Sequence, residues 1–224
     1  MKRVVVPELL DEDLGTAKEV RDSLLDLRGF NQRLGGFSSV AEMLRIVAQQ
    51  RDARALSFLD VAGGAGDVAE HAVSSLSQDG IVLQATVLDR AVSHMNGHGV
   101  RLARIAGDAL SLPCASESFD VVGSNLFCHH LEADEMVAFL NDALRVARMA
   151  AIVSDLRRTV FHWIAAQSGR VIYRSRITRH DAPVSVRRAY TIDEMDSIAK
   201  RTKATRFDLR SYYFQRFGLI LWKT

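Results

Sequence analysis

Residues 58–67, FLDVAGGAGD, bring together an apolar run, a carboxylate and three glycines. The apolar residues around Asp60 predict a buried strand, and residues 68–73 predict a helix. Between them, Gly63, Gly64 and Gly66 predict a tight turn. Glycines let the backbone approach a ligand that a Cβ would obstruct, and the start of a helix offers unpaired N–H groups. The stretch therefore indicates a nucleotide-binding turn.

Asp60 decides which nucleotide this turn suits. The carboxylate lies at the end of the predicted strand, immediately before the glycines. It would repel a pyrophosphate but attract a ligand that carries an ammonium or a sulfonium. S-adenosylmethionine carries both groups, so we expect it to be the cofactor.

Polar side chains end four further predicted strands, so that five strand ends carry one each. Asp89 lies roughly twenty residues after the glycines, the spacing of a carboxylate that binds a ribose. Any one of these residues could merely cap a surface turn. Because ligands of parallel sheets bind beyond the carboxyl ends of the strands, five polar residues at these ends indicate a crevice. The five are Asp60, Asp89, Asp108, Asn125 and Asp155.

Two histidines, His129 and His130, follow the fourth predicted strand. An imidazole is suited to accept a proton near neutral pH, and Asp155 on the next strand could orient it. The alternative is that both histidines only cap or pack against the following helix. Further candidates for the wall of a substrate pocket are Arg33, Arg157, His162 and His180.

No metal is predicted, because a magnesium site of the catechol type needs clustered carboxylates and an Asn, whereas Asp155 is followed by Leu156 and Arg157. The Asn-Pro-Pro-Tyr signature of enzymes that methylate nucleic-acid amines is also missing after the fourth strand, where residues 124–127 read Ser-Asn-Leu-Phe.

The elements that position these residues alternate between strand and helix, which is typical of a parallel α/β sheet. A helix is predicted over residues 134–148. The last two strands are joined by a short turn, so they must be antiparallel. We therefore expect a Rossmann-like, mostly parallel seven-stranded sheet with helices on both faces. The strands after the first are predicted at residues 81–88, 104–108, 119–125, 150–155, 207–212 and 217–222.

Two helices are predicted before the first strand, within residues 1–50. Thr16 and Glu19 have capping-box spacing, and the helix that follows is expected to end near Gly29. Ser39 and Glu42 repeat the pattern for a second helix. These helices could pack against the sheet, which we favour, or form a lid with Asn31 and Arg33 facing the ligand.

A third capping box, Thr191 to Glu194, opens a helix before the last two strands. Residues 156–190 show the least regular pattern and are expected to form a substrate-side insertion within a single domain, 1–224.

The composition of the chain limits which kinds of binding partner are expected. A net charge of +2, 48% hydrophobic and 25% charged residues are ordinary for a globular protein and indicate neither nucleic acid nor a membrane span. We expect a cytoplasmic monomer or homodimer whose two cysteines, Cys114 and Cys128, are reduced and structural.

Residues 58–67 resemble the first motif of class I S-adenosylmethionine-dependent methyltransferases, in the Ala-Gly-Gly form found in ubiquinone and menaquinone biosynthesis methyltransferases. Residues 107–113 and 119–122 are similar to later motifs of the family. Ala62 stands where most members have glycine, as in the quinone branch. The resemblance spans roughly residues 55–155 and implies that the cofactor is bound by Asp60, Ala62, Gly63, Gly64, Gly66, Asp89, Arg90, Gly107, Asp108, Ala109 and Asn125, with Asp108 meeting the adenine amine.

The resemblance implies transfer of a methyl group from S-adenosylmethionine to a small molecule, with S-adenosylhomocysteine as the product. Weaker similarity of residues 1–50 and 156–200 to methyltransferases of phenolic natural products favours a phenolic, aromatic or quinone-precursor oxygen as the acceptor. Transfer to carbon is one alternative. An NAD-dependent oxidoreductase is another, because residues 64–69 also fit Gly-x-Gly-x-x-Ala, and a non-catalytic protein that binds the cofactor is a third.

Overall fold

A computed structural model describes residues 1–11, 14–91 and 102–223, and its centre is one seven-stranded sheet. The strand order is β3-β2-β1-β4-β5-β7-β6. The first five strands are parallel, and β7 is antiparallel to both β5 and β6, as the sequence predicts. The strands are β1 (Ala55–Val61), β2 (Val82–Asp89), β3 (Ala103–Ala106), β4 (Phe119–Asn125), β5 (Ala147–Leu156), β6 (Arg206–Tyr212) and β7 (Arg216–Trp222).

Helices cover both faces of the sheet. Successive strand residues point to opposite faces, and accordingly Leu59 packs into one core with helices α4 and α7, while Phe58 packs into a second core with α2 and α3. The helices are α1 (Ala17–Arg33), α2 (Gly36–Gln50), α3 (Asp67–Gln78), α4 (Ala133–Val146), α5 (Val160–Ser168), α6 (Arg176–Arg188) and α7 (Ile192–Ala199). The expected Rossmann-like architecture is thus confirmed.

The N-terminal helices differ from prediction at their ends. The capping box at Thr16 is present, but α1 continues through Gly29 to Arg33. A glycine inside a helix costs only about 1 kcal/mol, which packing of α1 offsets. The capping box predicted at Ser39 is wrong. α2 begins at Gly36, and the Ser39 hydroxyl is buried inside the fold, 2.7 Å from the Ser154 hydroxyl on β5.

Residues 156–190 are more regular than predicted. They contain α5 and α6, which are joined by a short 3-10 turn. The apolar spacing of α6 is masked by its arginines and by Pro183, yet Ile177 and Val186 on it are buried. The capping box at Thr191 opens α7 as predicted. In the part of the chain that the structure describes, no helix has the length and apolar character needed to cross a bilayer.

Candidate functional site

The glycine turn between β1 and α3 is held by backbone hydrogen bonds. The Gly63 N–H donates to the Leu88 carbonyl at 3.2 Å, and the Gly66 N–H donates to the Gly63 carbonyl at 2.9 Å. Gly64 has a φ of +52°, and a Cβ added there would meet no atom within 4 Å. The turn therefore exposes backbone toward open space, which is what a ligand cradle requires.

Asp60 lies beneath this turn with only 1% of its surface exposed. Its Oδ2 atom has no hydrogen-bond partner among the described residues. Burial, with a smaller contribution from the negative charge of Asp89, raises the pKa of Asp60 to about 7. A buried carboxylate oxygen without a partner is costly. The ammonium or sulfonium of S-adenosylmethionine would satisfy it, so these residues fit that cofactor.

Asp89 is placed at the end of β2 beside the glycine turn. Its Oδ2 accepts the Gly64 N–H at 2.8 Å, and its Oδ1 accepts the Ala91 N–H at 2.8 Å. The Gly107 N–H donates to the Asp89 carbonyl at 3.1 Å, so the ends of β2 and β3 meet. Asp108 is exposed and accepts the Leu110 N–H at 2.9 Å. The structure thus brings the predicted ribose and adenine residues to one edge.

The other predicted cofactor residues lie along the same strand ends. Ala62 adopts a positive φ of 56° in the turn. Arg90 is exposed directly after β2, and Ala109 is buried after Asp108. Beside the first turn of α3, a cleft of about 400 Å³ opens between α1, α2 and α3, and Asp67 lines it.

Asn125, at the end of β4, bonds to the protein itself. Its Nδ2 donates to Asn31 Oδ1 at 3.0 Å, and its Oδ1 accepts Arg216 Nη1 at 3.2 Å. Arg216 also donates to Asn31 Oδ1 at 3.0 Å and to the Leu34 carbonyl at 3.1 Å. This network ties α1 to the ends of β4 and β7. Asn31 therefore bonds to other residues of the crevice wall.

Arg216 is a residue that sequence reasoning missed. It is 2% exposed, and its guanidinium donates to amide and carbonyl oxygens of Asn31, Leu34 and Asn125. Burial lowers its pKa to about 10, although the charge of Asp155 opposes this effect. A single arginine at the start of an otherwise apolar strand carries no local signal for such a position.

His129 and Asp155 form a buried pair that joins the ends of β4 and β5. His129 lies in a short 3-10 helix, Cys128–His130, and its Nδ1 is 2.8 Å from Asp155 Oδ1. Its backbone N–H donates to Asp155 Oδ2 at 2.9 Å. Burial acts to lower the pKa of His129, but Asp155, and Glu8 to a smaller extent, raise it to about 10. In this arrangement the imidazole is charged at neutral pH, so it can accept a proton only if its partners change.

The N-terminal segment supplies two acidic residues that the sequence did not reveal. Glu8 Oε1 lies 3.6 Å from His129 Nε2, and Asp11 Oδ2 lies 2.8 Å from His130 Nδ1. Arg188, at the end of α6, is 3.7 Å from Glu8 Oε1 and 3.6 Å from Asp11 Oδ2. We call Glu8, Asp11, His129 and His130 the acid–histidine cluster. Because about 120 residues separate its two halves, no motif spacing connects them.

The predicted pocket-wall residues are only partly brought together. His162 Nδ1 is 3.0 Å from the Arg157 carbonyl, just beyond β5. His180 lies on α6, pairs with Asp181 at 2.8 Å, and lines a groove of about 200 Å³ between α5 and α6. Arg33 is exposed at the end of α1. His180 and Arg33 thus lie on other elements than Arg157 and His162.

Comparisons with known proteins agree with this geometry. Residues 58–149 match the family model described as methyltransferase domain. No curated protein sequence matches the chain. Among solved structures, the plantazolicin methyltransferase BpumL in complex with a monoazolic desmethylPZN analog and SAH superposes with a TM-score of 0.69 at 12% identity, covering 96% of this chain and 93% of that one.

Two further structures share the fold. A putative S-adenosyl-L-methionine-dependent methyltransferase from Methanococcus maripaludis has a TM-score of 0.57 at 14% identity, covering 89% of this chain and 91% of that one. A putative O-methyltransferase from Nostoc punctiforme has a TM-score of 0.56 at 17% identity, covering 88% and 60%.

The family match falls on the segment that carries the glycine turn, Asp60 and Asp89. The strand order and the antiparallel terminal pair complete the fold expected from those motifs. Residues 58–149 therefore match a methyltransferase domain, and the whole chain has the fold of the methyltransferases on which it superposes.

Proposed function

We propose that this enzyme methylates a small phenolic or other aromatic acceptor on oxygen. The observation that carries the proposal is the buried Asp155–His129 pair, which lies at the edge of the sheet that also holds Asp60. S-adenosylmethionine supplies, when bound, an electrophilic methyl group. A hydroxyl acceptor must lose its proton during transfer, and His129 would accept it in the state in which acceptor binding has changed the partners of the ring and left it neutral.

The cofactor is proposed to lie over the glycine turn. Asp60 would pair with its positive charge, and the backbone of Gly63, Gly64 and Gly66 would leave room for its amino-acid portion. Asp89 would accept the ribose hydroxyl protons through the lone pairs that its two backbone bonds leave free. The remaining contacts are proposed for Ala62, Arg90, Gly107, Asp108, Ala109 and Asn125.

The acceptor is proposed to lie beyond β4 and β5, next to His129. Asp155 holds Nδ1 of this ring, and Nε2 faces Glu8 Oε1 at 3.6 Å. The ring of His130 lies 4.1 Å from that of His129, centroid to centroid. Methyl transfer is an in-line displacement, so positioning of the acceptor is the main contribution of the chain. Arg157 and His162 are proposed to form the adjoining wall, and His180 and Arg33 more remote parts of it.

The proposal is tested with labelled S-adenosylmethionine and matched pairs of acceptors that differ only in one hydroxyl. We expect label in the phenols and quinone precursors but not in their deoxy analogues, and mass spectrometry of the products should place the methyl group on oxygen. A product methylated on carbon or nitrogen would refute the oxygen assignment. Transfer to neither member of any pair, with intact S-adenosylhomocysteine binding, would refute the acceptor class.

A further inference from the structure

Glu8, His129 and His130 have the geometry of a metal-binding site. One carboxylate oxygen and one ring nitrogen from each histidine all lie within 4.8 Å of one another. The 3.6 Å between Glu8 Oε1 and His129 Nε2 is too long for a good hydrogen bond. Two nitrogen or oxygen ligands of one tetrahedral zinc, each at about 2.0–2.2 Å from the metal, lie about 3.3–3.6 Å apart. The spacing therefore suits a shared cation.

Glu8 provides independent support. Its residue surface is only 6% exposed, and its Oε1 atom has no hydrogen-bond partner within the described ranges of the chain. Buried polar atoms are almost always satisfied, so an unpartnered carboxylate oxygen directed at two imidazoles indicates a ligand. Arg188 Nη1, at 3.7 Å, is too distant to satisfy this oxygen.

His129 already has the outer partner that metal-bound imidazoles usually have. Its Nδ1 is 2.8 Å from Asp155 Oδ1, which orients the ring and makes Nε2 a better ligand. The nitrogen of His130 nearest to Glu8 Oε1 is Nδ1, at 4.0 Å, and this atom is also 2.8 Å from Asp11 Oδ2. A cation bound there displaces or shares the contact between His130 and Asp11.

The formal charges also favour a bound cation. Glu8 and Asp11 share the guanidinium of Arg188, at 3.7 and 3.6 Å, and the charge of Asp155 is opposed by that of Arg216. With neutral imidazoles, these three carboxylates and two guanidiniums leave one net negative charge in a mostly buried volume.

We propose that Glu8, His129 and His130 bind a divalent cation of the zinc type. Two imidazoles and one carboxylate are ligands that zinc prefers, and three protein ligands leave a fourth position open. If the acceptor is a hydroxyl, as proposed above, its oxygen fits the open position, and the bound cation then promotes loss of the proton in place of His129, whose Nε2 is a ligand. The site also fastens the N-terminal segment to the ends of β4 and β5.

The test uses the full chain without a purification tag, stripped with a chelator and then titrated with Zn²⁺. We expect one zinc per chain after gel filtration, measured by mass spectrometry of the metal. Glu8→Gln and His130→Ala should each weaken zinc binding at least tenfold, and Asp155→Asn, which changes the outer partner of His129, about tenfold to a hundredfold. His180→Ala is the matched control, because His180 also pairs with a carboxylate at 2.8 Å but belongs to no group of three ligands in the described structure.

Circular dichroism and calorimetry with S-adenosylhomocysteine establish that each variant is folded. Absence of stoichiometric zinc in the wild-type chain would overturn the proposal, as would wild-type affinity in both Glu8→Gln and His130→Ala. The same samples are assayed for methyl transfer to phenols. Transfer without zinc binding refutes the metal site and retains the proposed function. Zinc binding that is lost in Glu8→Gln, in a protein that methylates no phenol, retains the site and refutes the function.

Discussion

Replacing Asp60 with Asn should stabilise the cofactor-free protein and weaken cofactor binding. Asp60 is buried, and its pKa is raised to about 7 from an ordinary value of 3.8. At pH 8, where the carboxylate is ionised, this difference in pKa corresponds to about 4 kcal/mol of destabilisation of the folded state. Asn has nearly the same shape and no charge. We therefore expect Asp60→Asn to gain about 2–4 kcal/mol of folding stability at pH 8, a rise in Tm of roughly 5–15 °C.

The gain should depend on pH in a defined direction. Because the pKa of Asp60 is higher in the folded chain than in the unfolded chain, the folded state retains a proton between about pH 4 and 7. The free energy of unfolding of the wild-type protein accordingly falls as the pH rises from about 4 to 7. Ionisation of Asp60 causes no further loss above about pH 7. The advantage of Asp60→Asn should shrink as the pH falls toward 4. Thermal unfolding at pH 5 and pH 8 measures both values.

Asp60→Asn should bind the cofactor more weakly than the wild-type protein, although it is more stable. If Asp60 pairs with the ammonium of the ligand, its loss removes a charge-assisted hydrogen bond worth about 1.5–3 kcal/mol, or roughly 10- to 150-fold in Kd. Wild-type affinity for S-adenosylhomocysteine should also rise with pH through about 7, as Asp60 ionises, and this rise should be missing from the variant.

Asp134→Asn is the control for Asp60→Asn, since the Asp134 side chain is 90% exposed. It should change neither stability nor affinity appreciably. An Asp60→Asn protein that is less stable than wild type at pH 8, or that binds S-adenosylhomocysteine with unchanged affinity at every pH, would refute the reasoning.

Three further substitutions test the crevice. Gly64→Ala places a side chain at a φ of +52° and in the open space above the turn. It should lower the stability by about 1–2 kcal/mol and the affinity for S-adenosylhomocysteine, measured by calorimetry, more than tenfold. Unchanged affinity would place the ligand elsewhere. Asp89→Ala should cost about 1.5–3 kcal/mol of binding; a loss below threefold contradicts a ribose contact. Arg216→Met should lower the free energy of unfolding, measured in urea, by about 2–4 kcal/mol, because three oxygen acceptors lose the arginine that donates to them. An unchanged urea midpoint would show that the network contributes little.

Local sequence patterns were sufficient for the sheet and for one side of the crevice. The strand, glycine turn and helix around Asp60 are contiguous, so their geometry follows from a few neighbouring residues. The boundaries of β4 were predicted without error, and those of the other strands within a few residues. The capping boxes at Thr16 and Thr191 succeeded for the same reason, since each is a contact between residues three apart.

The opposite side of the crevice depends on contacts that only the tertiary structure brings about. The local pattern at Ser39 predicts a helix cap, but the hydroxyl lies against that of Ser154, 115 residues away. The burial of Arg216 and the approach of Glu8 to His129 likewise join distant segments. A lone charged residue has no periodicity, so its partners cannot be read from its neighbours. The sequence by itself therefore determined the sheet and the turn proposed to hold the cofactor, whereas packing of the N-terminal segment against the strand ends decided what surrounds the two histidines.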